Sequence, residues 1–475
     1  MFFQSRQFQP SEQINASKWA PSKVTFPSES IPNHWLSRLK ENTKKLPNLI
    51  HVLPLVFLKS AIYSFKKTAS DLATIDNLIH QTNEVFNDIA KQSTKNIATQ
   101  EAIDFSKLAD LSKPGKFTWR KEKILFQEAN CVNKTTAEVY LPQVSHPAPV
   151  IVISPGLIAR ENHLEYLAKI LVSHGFVVTI AGSNNSNNSN SELLWSYITN
   201  GVASDNKAEP QEFINRVLRI KHLLDELQRR SQSDPNFKVN AQQVGIVGVS
   251  FGGYTALALA GGTINFDKLQ NDCKNVKSNS VNSSLSNLSL LLQCRALDLP
   301  QQEYELHDER VKAVMLINPV NGSLFGEEGL SNIRIPVMYI SSSDDILAPA
   351  LTEQILPFKS LKNKQKYLVT LRGGTHFSIS SETNSTSNPA ISLARRYTKA
   401  LGVAFFQTHV VEAKEYQPFL SSAYAKFISQ EPLQVHLVHS LEDTNQIKLV
   451  SFSETQHKIK WFLPAYKNFL DYLNG

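Results

Sequence analysis

Ser250 stands between two glycines in Gly248-Val249-Ser250-Phe251-Gly252, a spacing that suits a serine able to attack a carbonyl carbon. In such a turn the chain passes from strand to helix within a residue. The hydroxyl is lifted above the sheet, and side chains two positions away on either side would collide. The flanks fit this reading. Val244–Val249 is a short β-branched run, and Thr255–Ala260 is rich in Ala and Leu. Phe251 would then open the helix, with its N–H placed to stabilise an oxyanion. Glycine is scarce, 18 of 475 residues, so a chance match around one serine is less expected. The plain alternative is a buried Gly/Ser turn without chemistry.

A serine hydroxyl at its ordinary pKa needs a base, and the base needs an orienting acid. The chain order for an elbow of this kind is Ser, then Asp or Glu, then His. Of the 13 histidines, His376 lies in Leu371-Arg372-Gly373-Gly374-Thr375-His376, a glycine-bearing loop after an expected strand. It fits the base. His409 ends an expected helix, and His436, His439 and His457 fall in the tail. Upstream of His376, Pro336–Ile340 runs into Ser341-Ser342-Ser343-Asp344-Asp345-Ile346-Leu347-Ala348-Pro349. Either aspartate can serve as the acid; Asp345, with Pro four residues on, is favoured. A second oxyanion donor is expected in Ser154-Pro155-Gly156-Leu157. Pro155 has no N–H, so Gly156 or Leu157 must supply it, with Leu157 preferred.

These groups need a scaffold that brings distant loops together. Val150–Ile153, Phe176–Ala181, Val311–Asn318, Ile335–Ser341 and Gln365–Leu371 read as buried strands. Helical runs over His163–Ser173, Phe213–Arg229 and Ile391–Gln407 alternate with them, which predicts a mostly parallel, doubly wound α/β sheet. Phe117–Phe126 and Thr136–Leu141 read as an antiparallel pair around a polar turn at Asn130–Lys134. The expected organisation is a polar leader (1–45), a helical N-terminal region (46–112), an α/β domain (113–411) and a C-terminal extension (412–475). Leu72, Ile75, Leu78, Ile79, Phe86 and Ile89 give the N-terminal region its helical period. Residues 262–309 form an insertion after the nucleophile helix. The extension carries strand-like runs at Gln434–His439 and Ile447–Phe452 and an apolar helix near Trp461–Leu473. Ser183–Ser191 is a low-complexity loop.

Composition is globular, 41% hydrophobic and 19% charged, with a net charge of +7. The positive excess is spread along the chain, which argues against a nucleic-acid partner but is compatible with weak attraction to anionic membranes. Cys131, Cys273 and Cys294 have no zinc spacing, and no metal or cofactor is implied. They read as buried or free thiols, or Cys273 and Cys294 close the insertion by a disulfide, which needs an oxidising compartment. Residues 1–30 show no signal-peptide core, and Leu46–Phe65, interrupted by prolines, is expected not to span a bilayer. A cytoplasmic location, with peripheral membrane contact through Leu46–Phe65, follows as an expectation.

Val249–Gly261, Leu292-Gln293-Cys294-Arg295-Ala296, Ile317-Asn318-Pro319-Val320, Asp345–Ala350 and Gly374–Ser378 together resemble a cyanobacterial-type family of predicted α/β-hydrolases. That family is dienelactone-hydrolase-like and related to platelet-activating-factor acetylhydrolases. The resemblance implies an α/β-hydrolase fold over roughly residues 115–440. It implies Leu157 and Phe251 as oxyanion donors. The chain departs from its relatives in three ways. Ser250 stands where dienelactone hydrolases carry cysteine. Pro155 replaces the histidine of a Ser-His-Gly loop. Asn318 occupies the place after the sixth strand where animal acetylhydrolases carry the acid, which favours Asp345. The expected activity is serine carboxylic-ester hydrolysis. The apolar N-terminal stretch and Leu288–Leu292 favour acyl or phospholipid-like small-molecule esters over sugars or peptides; the alternative is that both stretches are simply core. An acyltransferase on the same residues, or a non-catalytic binding protein on this fold, is the alternative. The oligomeric state is not readable.

Overall fold

A computed structural model describes residues 65–127, 134–157, 161–181, 210–277, 288–379 and 388–442. Its centre follows from runs such as Val150–Ile153 and Ala313–Ile317, whose side chains are all fully buried. A strand apolar on both sides must be covered on both faces, and this one is. Nine strands form one sheet: β1 (Trp119–Gln127), β2 (Lys134–Pro142), β3 (Ala148–Ser154), β4 (Val177–Ile180), β5 (Val239–Val249), β6 (Val311–Ile317), β7 (Val337–Ser342), β8 (Lys366–Arg372) and β9 (Gln434–Val438). Their spatial order is β1-β2-β4-β3-β5-β6-β7-β8-β9. The pairs from β4 through β8 are parallel, whereas β1–β2, β2–β4 and β8–β9 are antiparallel.

The described helices are α1 (Phe65–Ala98), α2 (Glu165–Ser173), α3 (Glu212–Ser233), α4 (Phe251–Leu259), α5 (Phe266–Lys277), α6 (Leu288–Gln293), α7 (Gly326–Ser331), α8 (Leu356–Ser360), α9 (Pro389–His409) and α10 (Ser422–Ile428). Alternate strand residues feed two cores. Val152, Ile246, Val314 and Tyr339 pack with α3 and α4. Ile153, Val247, Met315 and Ile340 pack with α2 and α9 on the other face. Helix α9 starts where its sequence says it should: Asn388 accepts from the Ala390 and Ile391 amides, and Pro389 occupies the first turn.

Both ends of the described chain join the sheet. Helix α1 buries Thr82, Phe86, Ile89 and Ser93 along one stripe at helical spacing. Gln92 at its end donates to Ser440 O at 2.8 Å. Strand β9 extends the β8 edge, so the C-terminal extension completes the sheet as well as following it. Most boundaries move by a residue or two from the expected ones, but β5 starts at Val239, five residues before the expected run, and α3 runs to Ser233, four residues past Arg229. Strand β7 begins at Val337 rather than Ile335, and β1 at Trp119 rather than Phe117. Pro336 has no N–H to give the ladder.

The insertion holds α5, α6 and a 3₁₀ turn at Cys294–Asp298. Cys273 and Cys294 are joined by a disulfide, the outcome that sequence spacing left open. Leu292 is buried in the first core and Leu290 packs against it. That part of the insertion is core, so it lends no support to a lipid-like substrate. Among the described residues, no helix is long and apolar enough to cross a membrane. The expected leader, residues 46–64 of the apolar stretch, Ser183–Ser191, Ile447–Phe452 and Trp461–Leu473 lie outside the described residues.

Candidate active site

Strand order reverses around β3: the chain passes from β3 to β4 on one side, then crosses to β5 on the other side of β3. Such a switch point opens a crevice at the carboxyl ends of the strands, where open α/β sheets bind ligands. Ser250 follows β5 and Pro155–Leu157 follows β3, so both segments stand at the carboxyl ends of these adjacent strands.

Ser250 adopts φ 53° and ψ −121°, a conformation that costs a non-glycine residue about 1–3 kcal/mol. Three backbone bonds hold it there. Its N–H donates to Ile317 O at 2.9 Å, and its carbonyl accepts from Gly253 N at 2.8 Å and Val320 N at 3.0 Å. The flanking glycines are sterically required: a Cβ on Gly252 would strike Ser154 O, and one on Gly248 would strike Gly252 O. Phe251 is the first residue of α4, so its N–H has no acceptor within the helix.

His376 comes from the loop after β8, whose turn is made by Gly373 at φ 82°. Its Nε2 lies 3.0 Å from Ser250 Oγ, and its Nδ1 lies 2.7 Å from Asp345 Oδ2. Asp345 is 2% exposed and follows β7. Its other oxygen accepts from the Leu347 and Ala348 amides at 2.9 and 2.8 Å. Every contact orients the carboxylate toward His376. Asp344 is held differently. It accepts from Ser343 Oγ at 2.6 Å, and burial pushes its carboxyl above the usual 3.8.

Asn318 sits at φ 42° after β6, fully buried. Its amide donates to the carbonyls of Thr375 and His376, each at 3.3 Å, and its oxygen accepts from Ser342 N at 3.0 Å. The residue that cannot ionise therefore ties the histidine loop to the acid loop. Below it, the buried Glu353 accepts from the Asn321 and Gly322 amides at 2.9 and 2.8 Å and from Gln293 Nε2 at 2.9 Å. Gln293 Oε1 in turn accepts from Ser323 N at 2.8 Å. Gln354 donates to Pro319 O at 3.1 Å and Ala348 O at 3.0 Å, linking the elbow's support to the acid loop.

On the β3 side, a Cβ built on Gly156 would come within 2.9 Å of Ser250 Cβ, so the backbone at Gly156 abuts the serine. Leu157 follows it, half-buried against the first core. Arg216 of α3 reaches this loop and donates from Nη2 to Pro155 O.

Ser250, His376, Asp345, Phe251 and the Gly156–Leu157 segment thus meet at one place. Arg216 and the Glu353–Gln293 pair were not anticipated from sequence. The signal for Arg216 was a cation on the apolar stripe of Phe213, Val217 and Ile220. The remaining described histidine candidates stand elsewhere. His409 shares a 2.9 Å bond with Tyr367 OH, His439 packs its ring on Tyr367, and His436 lies on β9. Burial pushes His409 down to about 4. His457 is outside the described residues. Among the described residues no group of three or more His, Cys, Asp or Glu could hold a metal ion.

The arrangement can pass a proton from a serine hydroxyl to an imidazole braced by a carboxylate, beside a helix N-terminus. No family model matches the chain, and no curated protein matches it.

Proposed function

We propose that this chain is a serine carboxylic-ester hydrolase of α/β-hydrolase fold. One observation carries the reading: the unbroken path from Ser250 Oγ through His376 to Asp345, assembled at 3.0 and 2.7 Å from three separate loops. The support from topology is that the elbow follows β5, the second amide source follows β3, and the acid and histidine follow β7 and β8.

In this reading Ser250 Oγ attacks the ester carbonyl while His376 Nε2 takes its proton, and Asp345 steadies the imidazolium. The carbonyl oxygen becomes an oxyanion facing the Phe251 amide and an amide of Gly156 or Leu157. The tetrahedral centre collapses, His376 returns the proton to the departing alcohol, and Ser250 carries the acyl group. Water, deprotonated by His376, then attacks the acyl carbon, and as the second tetrahedral centre collapses His376 returns that proton to the departing Ser250 Oγ and the acid is released. The mechanism uses no metal or cofactor. The resemblance to acetylhydrolase relatives supports acyl or phospholipid-like esters as the substrate class. The Cys273–Cys294 bond supports an oxidising compartment over the cytoplasm, because cytosolic thiols are kept reduced.

The test pairs labelling with turnover. A fluorophosphonate probe should label the wild type once, at Ser250, and p-nitrophenyl esters from acetyl to palmitoyl should report the preferred acyl length. Ser250→Ala should abolish labelling and lower kcat by ~10⁶-fold, as removal of a triad serine does elsewhere. A variant that keeps more than about a tenth of wild-type kcat rules the assignment out.

A further inference from the structure

Arg216 is 4% exposed and sits on the face of α3 that buries Phe213, Val217 and Ile220. Removing a guanidinium from water costs several kcal/mol unless its donors are used well. The donors of Arg216 are directed at the loop after β3 and at α4, the two segments beside Ser250. Nη2 donates to Pro155 O. Nε lies 3.4 Å from Thr255 Oγ1 on α4, and the guanidinium carbon is 5.1 Å from the centroid of the Phe251 ring. Burial pulls it down to about 10, with Glu212 raising and Arg219 lowering it, so it is a cation at neutral pH.

The bond to Pro155 has a geometric consequence. In a trans peptide the C=O and the next N–H point in opposite directions. Fixing the Pro155 carbonyl therefore fixes the direction of the Gly156 N–H. Pro155 itself has no N–H with which to anchor the loop from its other side. The loop also rests on the nucleophile helix, since a Cβ on Gly252 would meet Pro155 O at 2.9 Å as well as Ser154 O.

We infer that Arg216 is the positioning residue of the oxyanion site, clamping the Pro155–Gly156 peptide to the N-terminal part of α4 at Phe251 and Thr255, so that amides of the β3 loop and of α4 face one point beside Ser250 Oγ. This rests on the esterase reading. It adds that the alignment is held by a side chain that touches neither substrate nor Ser250. The benefit falls on the tetrahedral state, because only there does the carbonyl oxygen carry full charge. A buried cation behind the two amides favours the same state.

Loss of one oxyanion donor lowers kcat by ~10²–10³-fold, and Arg216→Met should fall near the lower figure with KM changed less than about threefold. A trifluoromethyl ketone, whose serine adduct bears the oxyanion, should lose affinity by the same factor as kcat/KM. Arg216→Lys, which keeps the charge but offers a single donor nitrogen, should recover about tenfold of the loss. If Arg216→Met keeps wild-type kcat, or if ketone affinity follows KM rather than kcat/KM, the inference is wrong and Arg216 is only structural. Should Arg216→Met fail to fold, Arg216→Lys decides by the same comparison of ketone affinity with KM. A wild type that neither hydrolyses esters nor takes the fluorophosphonate ends the esterase reading, and this inference with it. An active wild type with insensitive Arg216 variants ends this inference alone.

Discussion

Asp344 and Asp345 are adjacent and chemically identical, yet their surroundings give them different work. Asp345 has one oxygen fixed by two backbone amides and the other at 2.7 Å from His376. Asp344 turns to Ser343, and burial pushes its carboxyl up, so the folded site holds its charge poorly. Asp345→Asn should lower kcat by ~10⁴-fold, because an amide presents the wrong partner to the imidazole. Asp344→Asn should stay within about tenfold of wild type on the same ester. A reversed ranking assigns the acid to Asp344. From sequence both residues were open, and only the pattern with Pro349 tipped the choice. What separates them is the path of the backbone through Leu347 and Ala348, which turns one side chain inward.

At the scale of elements, the site depends on loops held from outside it. The loop after β6 supports Ser250 through Val320, and Glu353 and Gln293 hold that loop at Asn321, Gly322 and Ser323. Gln293 adjoins Cys294, so the Cys273–Cys294 disulfide closes the insertion next to a residue that braces the site. The bonded cysteines are 21 residues apart, and closing a loop of that size removes unfolded-state entropy worth about 3 kcal/mol. Cys273→Ser with Cys294→Ser should therefore lower the free energy of urea unfolding by about that amount. A loss below about 0.5 kcal/mol would show that the bond does not restrain the unfolded chain. The insertion was visible in sequence as a polar interruption. Whether its apolar run is core or faces substrate was left open, since Leu290 and Leu292 find their neighbours in elements far along the chain.

For the whole molecule, burial holds His174, His409, His436 and His439 below their usual 6.5. Each therefore takes up its proton at a lower pH in the folded chain than in the unfolded one. Because the folded pKa is depressed, the stability each contributes is present above pH 6.5 and lost as pH falls. For His409 the window runs down to about 4. Between pH 7.5 and 5, His409 alone should account for about 2 kcal/mol of lost stability. The urea midpoint should fall over that range, and His409→Gln should flatten the fall. A midpoint that does not move would contradict the neutral, buried state. The elbow, the alternation of strands with helices and the order Ser, Asp, His were determined by sequence alone, since turn sterics and apolar periodicity act over a few residues. The tertiary structure decided the rest. It closed the 126-residue separation between Ser250 and His376 to 3.0 Å, and it paired the cysteines. It drew α1 and β9 onto the sheet. It also gave Arg216, a misplaced charge when read along its helix, an acceptor 61 residues earlier. Burial and hydrogen-bond partners are properties of packed surfaces, and the residues that make those surfaces are not neighbours in the chain.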